Sequence, residues 1–289
     1  MLCKICQNNT TTFWLTAKGF NIGKCSYCGF AQALEVPTEA ELDELYELLH
    51  AKHIKYRSDL SASIENQRRI SFLKRHITDG SKVLDAGCAS GDFMAIGVEN
   101  FEMYGSDIST SAIEYAKKRL PELSDRLKAH RLEDDDLVWQ DFDAVCLWDV
   151  IEHVADPVCI TQLMMNKVKP GGYLFISTPD FGSLMAKLMR SNWAFMTPPY
   201  HLGYFTKQAF KYLFKNNSLG EIIRYETKGK TVDLSFLMYK LNQMNKWLSP
   251  EFLLNWIAKS KLGRIKLYIP TNDIAYLVIQ KPSVSRVKD

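Results

Sequence analysis

Four cysteines open the chain at repeated spacing: Cys3 and Cys6, then Cys25 and Cys28, with 18 residues between the pairs. Two residues between ligands let one tight turn aim both sulfurs at an ion. A second such turn completes a closed tetrahedron, as a four-thiolate zinc site requires. The closed shell leaves no position for water, so the expected role is structural: an ion stapling a segment too small to bury a core of its own. Cys88, Cys146 and Cys159 lie singly in apolar surroundings and are expected as buried thiols. A different chemistry is written at Val83-Leu84-Asp85-Ala86-Gly87-Cys88-Ala89-Ser90-Gly91. Gly87 permits a tight turn after a strand, and the small residues at 89 and 91 let a ligand lie against the main chain. Asp85 puts a carboxylate at the end of that strand, where it would repel a pyrophosphate and attract an ammonium. Asp107, 22 residues on, can accept from both hydroxyls of a ribose.

The elements that must position these groups follow from periodicity. The segment around Phe13, Trp14, Leu15, Phe20 and Ile22 offers short strands between the cysteine pairs. Thr38 to Glu41 reads as a capping box opening a leucine-rich helix, and a second helix is expected over about 64–77. From residue 82, strands are expected at 82–86, 101–107, 127–132, 142–148 and 172–177, with helices at 91–99, 109–119 and 157–168 between them. Such alternation implies a parallel sheet covered on both faces. Lys169-Pro170-Gly171-Gly172 is a turn signal. After an irregular aromatic stretch, a capped helix starts at Thr206, and strands are expected at 221–227 and 274–279, separated by helix over about 233–260. The chain thus divides into a zinc ribbon (1–36), a helical connector (37–79) and a main domain (80–289) carrying a lid segment (180–206) and a helical insertion (231–265).

The glycine loop, Gly105-Ser106-Asp107, Phe142-Asp143-Ala144-Val145, Asp149-Val150-Ile151-Glu152-His153-Val154 and the run from Leu163 to Gly172 resemble, in order, the motifs of class I S-adenosylmethionine-dependent methyltransferases. Glu152-His153-Val154 and His201-Leu202-Gly203-Tyr204-Phe205-Thr206 resemble the branch containing ubiquinone-type O-methyltransferases and sugar methyltransferases, to some of which the N-terminal ribbon is also similar. The resemblance implies an α/β fold, a doubly wound Rossmann-like seven-stranded sheet, with S-adenosyl-L-methionine as cofactor. It places Asp85, Gly87, Cys88, Ala89 and Gly91 along the methionine part, Asp107 with Ile108 at the ribose, Glu133 and Asp134 towards adenine, and Trp148 in the same pocket. Arg69, in Asn66-Gln67-Arg68-Arg69, falls where a guanidinium would pair with the cofactor carboxylate. Ala89 departs from the commonest pattern, which has Gly there.

Methyl transfer from a sulfonium is an in-line displacement, so the protein must align the partners, exclude water and, for a hydroxyl acceptor, remove a proton. Candidates beyond the strand ends are Asp149, Glu152, His153, Asp180, Tyr200 and His201. His201 and then His153 are the expected bases, because imidazole titrates near neutrality. Trp193, Phe195, Tyr200, Tyr204 and Phe205 suggest a lid or extra core. The apolar stretch 233–258 suggests a cap, a dimer contact or a membrane-surface patch.

A formal charge of +3, with only Lys4, Lys18 and Lys24 in the ribbon, disfavours RNA as the acceptor. Thr197-Pro198-Pro199-Tyr200 stands at the wrong place for DNA amino-methylation. No apolar run reaches the roughly 18 residues of a membrane span, and the N-terminus lacks a secretory pattern, so a cytoplasmic location is expected. The reading is therefore a methyltransferase acting on a small-molecule hydroxyl, most plainly a sugar or sugar-nucleotide precursor of a surface polysaccharide. An RNA methyltransferase and a non-catalytic binding subunit are the alternatives.

Overall fold

A computed structural model describes residues 2–8, 11–38, 59–134, 137–235 and 260–283, with single positions 40–42, 44, 45, 47, 238, 242, 256 and 257. The described strands form two sheets. The larger takes β4 (Lys82–Ala86), β5 (Glu102–Asp107), β6 (Leu127–Ala129), β7 (Phe142–Trp148), β8 (Val168–Pro179), β10 (Glu221–Asp233) and β11 (Lys266–Gln280) in the order β10-β11-β8-β7-β4-β5-β6. Strands β4 to β8 are parallel, and β11 and β10 add antiparallel strands at one edge. The central strands are buried along nearly their whole length, as a sheet covered on both faces demands. The seven strands match the expected doubly wound sheet.

Two crossover helices begin where a polar side chain satisfies free amides of the first turn. Helix α1 (Asp59–Leu73) precedes β4, and α2 (Asp92–Gly97) follows it. The Ser109 hydroxyl accepts from Ala112 N at the start of α3 (Thr110–Arg119), and the Asp156 carboxylate accepts from Val158 N and Cys159 N at the start of α4 (Pro157–Lys167). A short α5 (Leu184–Met189) and then α6 (Lys207–Asn216) follow β8, the latter capped by Thr206. The capping box at Thr38 is present: Glu41 accepts from the Thr38 amide and hydroxyl at 2.8 and 2.7 Å.

Several boundaries differ from the sequence reading. Strand β6 stops at Ala129: His130 N makes the last bond to β5, to Asp107 O at 2.8 Å, and a turn at 132–133 follows. Strand β8 runs from 168 to 179, and Lys169 to Gly172 bulge out of it: the partner of Phe142 is Val168, whereas that of Ala144 is already Tyr173. Strands β10 and β11 extend to 233 and from 266, pairing Lys230 with Ile269 and Asp233 with Lys266, so the first three residues of the expected helical insertion, 231–233, are strand. Residues 234, 235, 238, 242, 256 and 257 are helical, and the rest of 236–259 lies outside the described residues, as do Leu48 and Leu49. Cys88 and Cys146 are buried, but Cys159 is only half-buried on α4.

The smaller sheet holds β1 (Thr11–Ala17), β2 (Phe20–Cys25) and β3 (Ala31–Ala33), and its fourth strand, β9 (Gly203–Tyr204), comes from the expected lid segment. Trp193, Met196, Leu202 and Tyr204 are packed with Ile22, Ala31, Ala33 and Phe181 in one core cluster. Most of the aromatic segment is therefore interior packing that seats the ribbon, and not a flap free to swing. Phe195 and Tyr200 remain half-buried.

Candidate functional site

The two cysteine turns are built alike. Gln7 N donates to Cys3 O and Gly29 N to Cys25 O, each at 3.0 Å, and each turn ends in a left-handed residue, Gln7 at φ 59° and Gly29 at φ 75°. This brings Cys3 Sγ to 3.5 Å from Cys28 Sγ and Cys6 Sγ to 3.6 Å from Cys25 Sγ, with all four side chains buried. A tetrahedron with zinc–sulfur bonds of about 2.3 Å has edges of about 3.8 Å, so the sulfurs are close to a zinc shell and far from a disulfide.

At the carboxyl end of the large sheet, Gly87, Ala89 and Gly91 all have positive φ (86°, 46° and 76°), which winds the loop after β4 around an open cradle. A side chain at 87 would strike Val150, its Cβ lying 2.5 Å from Cγ2. Asp107 braces the loop: one carboxylate oxygen accepts from Ala89 N at 2.8 Å and the other from Ser109 N at 2.9 Å. Asp85 is 2 % exposed, and burial pushes its carboxyl up to about 7 against the opposing pull of Arg69. Arg69, on α1, pairs with Asp149 and lies 5.3 Å from the Trp148 ring. Asp149 is itself in a left-handed conformation (φ 57°) and accepts from the Ser177 hydroxyl at 3.0 Å. Three buried donors here have no protein partner among the described residues: Arg69 Nε, Ser106 Oγ and Trp148 Nε1. A buried donor left unpaired is costly, and a polar ligand in the cradle would satisfy such groups. The residues present thus fit a cofactor carrying an amino acid and a ribose.

Beside the cradle, Glu152 is 2 % exposed, accepts from the Thr178 hydroxyl at 2.9 Å, and is held well above the usual carboxylate range by burial and by the charge of Asp149. Its main-chain oxygen takes the amides of Leu202 and Gly203 at 2.8 and 3.0 Å, which draws β9 to the site. The His153 and His201 rings lie 4.8 Å apart, nearly perpendicular. His153 Nδ1 is 2.7 Å from Tyr200 O, and His201 Nδ1 is 2.8 Å from Phe195 O. Burial and the neighbouring His153 lower His201 to about 3, so it is a weaker base than a free imidazole.

The structure thus brings together Arg69, Asp85, Gly87, Ala89, Asp107, Trp148 and Asp149 on one side and Glu152, His153 and His201 on the other. Tyr200 contributes its carbonyl. Cys88 is buried under the loop, and Ile108 is half-buried after β5. Glu133 and Asp134 stand exposed in the turn after β6. Asp180 is buried at the end of β8, where its carboxylate accepts from Gly182 N at 2.8 Å. Sequence reasoning missed Thr178 and Ser177, which secure Glu152 and Asp149, and the carbonyls of Phe195 and Tyr200. The Ser177-Thr178 pair at a strand's carboxyl end was a readable signal; a carbonyl carries none.

A profile of the methyltransferase-domain family matches residues 56–219, more than half of the chain, and the chain belongs to that family, the class I S-adenosylmethionine-dependent methyltransferases. A ubiquinone biosynthesis O-methyltransferase of Dechloromonas aromatica is 31% identical over 150 residues, 48% of this chain and 62% of the relative. Its mitochondrial namesake from Schizosaccharomyces pombe is 34% identical over 138 residues, 43% of this chain and 48% of the relative. The chain thus spans about half to three-fifths of the length of these relatives. In fold it is similar to magnesium protoporphyrin IX methyltransferase from Synechocystis with bound SAH (TM-score 0.55, 12% identity, 84% of this chain and all of that one). A SAM-dependent methyltransferase from Archaeoglobus fulgidus gives TM-score 0.53 at 19% identity, over 80% of this chain and 98% of that one. Among the described residues no helix is long and apolar enough to cross a membrane.

Proposed function

We propose that the protein transfers the methyl group of S-adenosylmethionine to a hydroxyl of a small molecule. The observation that carries this reading is the loop after β4, braced by Asp107 and lined by Asp85, opening beside Glu152, His153 and His201. Asp85 meets the cofactor's ammonium, Arg69 its carboxylate and Asp107 the ribose. The sulfonium supplies the methyl group. The acceptor oxygen forms the new carbon–oxygen bond as the methyl–sulfur bond breaks, the electron pair stays on sulfur, and the hydroxyl proton passes to the His153 and His201 cluster.

The O-methylation named for the relatives supports a hydroxyl acceptor. Within that class we propose a sugar or sugar-nucleotide, on the resemblance of the Glu152-His153-Val154 and 201–206 segments and the N-terminal ribbon to sugar methyltransferases. The four cysteines hold a structural zinc. Tritiated-methyl incorporation tests the reading. Label is expected in sugar nucleotides or phenols and absent from total RNA; label in RNA would replace the acceptor class, and no label anywhere would leave a binding protein with a methyltransferase fold.

A further inference from the structure

Helix α6 carries Lys207, Lys211 and Lys215 four residues apart, so the three form one stripe with steps of about 6 Å along the axis. All three are exposed, and none has a carboxylate within ion-pair distance among the described residues. The stripe borders a groove of about 490 Å³ between α6 and the start of β10, a volume within the roughly 300–1,000 Å³ of small-ligand pockets. Its floor is apolar: Phe214 is buried, and Ile222 and Tyr225 lie half-buried beside it. Lys207 Nζ stands 5.1 Å from the centre of the Tyr225 ring, which holds that ammonium over the floor. The far wall is the outermost strand of the sheet, and it bulges at Ile223, which falls without a partner between the pairs Ile222–Ile279 and Arg224–Val278. Glu221 is the one carboxylate in the lining, and Arg224 lies 3.9 Å from Glu226. The three lysines therefore leave the groove with two positive charges in excess.

We propose that this groove binds a diphosphate ester with an apolar body, the diphosphate meeting the lysine stripe and the body lying along Phe214, Ile222 and Tyr225. Lysine ammoniums are compact charges on flexible stems, so all three can converge on one diphosphate. A single carboxylate would leave part of the excess charge unmet. A nucleobase or a bare sugar would need hydrogen-bonding groups on the floor, and the floor offers carbon: the Tyr225 hydroxyl is buried on the side of Asp180. The site is separate from the cofactor cradle, because β11, β8 and β7 stand between β10 and β4. It goes beyond the methyltransferase reading and stands without it.

The test is calorimetric titration of the full, zinc-loaded chain at low salt with geranyl diphosphate, inorganic pyrophosphate and uridine diphosphate in turn. One geranyl diphosphate per chain is expected, bound at least about tenfold more tightly than either of the others and more weakly as salt is raised. Its affinity should fall at least about tenfold in Lys211→Glu and again in the double variant Lys207→Glu, Lys215→Glu. Both variants alter exposed side chains, and an unchanged melting temperature is the fold control. No binding at millimolar geranyl diphosphate, or binding that both variants retain, overturns the site. Pyrophosphate or uridine diphosphate binding as tightly as geranyl diphosphate overturns the apolar body. S-adenosylhomocysteine titrated separately keeps the two readings apart: geranyl diphosphate binding without it upholds the groove and sinks the methyltransferase reading, and the converse does the reverse.

Discussion

If zinc closes the four-cysteine shell, its loss should be felt in the acceptor site, because the ribbon grips the segment carrying His201. Ala31 and Gln32 pair with Tyr204 and Gly203, Ala33 N donates to Leu202 O at 3.0 Å, and Thr206 Oγ1 donates to Cys28 O at 3.1 Å. Structural zinc contributes on the order of 10 kcal/mol to folding its own turns, so Cys25→Ser or chelation should release the ribbon. At about 1 kcal/mol net per hydrogen bond, losing these two hydrogen bonds and at least one from the pairing of β3 with β9 eases the opening of 202–206 by about 3 kcal/mol. Amide exchange there should accelerate on the order of a hundredfold. Hydrogen-exchange mass spectrometry would read this in peptides covering 31–33 and 202–206, with 83–86 and 103–107 as internal controls expected to hold steady. If the ribbon peptides open while 202–206 stays within twofold of the native rate, the coupling through β3 and β9 is refuted.

Three further outcomes follow from the cofactor cradle. With its folded value raised to about 7 from 3.8, Asp85 stays protonated in the folded chain after it has ionised in the unfolded one. Its contribution is therefore fully present below pH 3.8 and is lost as pH rises to 7, a difference on the order of 4 kcal/mol in the cofactor-free protein. Binding an ammonium needs the ionised form, so S-adenosylhomocysteine affinity measured by calorimetry should climb close to tenfold per pH unit from 5 to 7 and then level off; Asp85→Asn should flatten the curve. Ala89 sits at φ 46°, where a Cβ costs about 1–2 kcal/mol and glycine loses about 0.5–1 in entropy. Ala89→Gly should thus raise thermal stability by about 0.5–1 kcal/mol, read as a melting shift of about 2 °C. Asp107→Ala should weaken cofactor binding at least about a hundredfold, at roughly 1.5–3 kcal/mol for each charged hydrogen bond to the ribose; unchanged affinity would remove Asp107 from that role.

What could be read from the sequence, and what could not, divides along a physical line. Alternating strands and helices from residue 82 announced the parallel sheet because each central strand is a short apolar run between polar helix caps, a local signal. The cysteine turns were legible for the same reason, their geometry being set within five residues. Strand ends were misjudged where a long-range pairing decides them: β10 continues to Asp233 only because Lys266 to Ile269 lie opposite. The aromatic segment read equally as lid or core, since composition does not say what an aromatic ring packs against.

The acceptor site shows the limit most sharply. His201 and His153 lie 48 positions apart, one in the irregular segment after β8 and the other just after β7. Their relation to each other depends on three carbonyls that no side chain advertises, those of Glu152, Phe195 and Tyr200. Glu152 O receives Leu202 N and Gly203 N, and the same two residues extend the ribbon sheet. One main-chain oxygen therefore joins the cysteine ribbon to the histidine pair. Removing a whole ribbon would not leave an intact methyltransferase domain with one accessory fewer; it would leave β9 without its partner strand, and the segment of His201 held by Phe195 O, Thr197 O and Glu152 O alone among the main-chain oxygens named. The ribbon belongs to the architecture around the histidine pair, and a separate recognition module is not needed to explain why the cysteines are there.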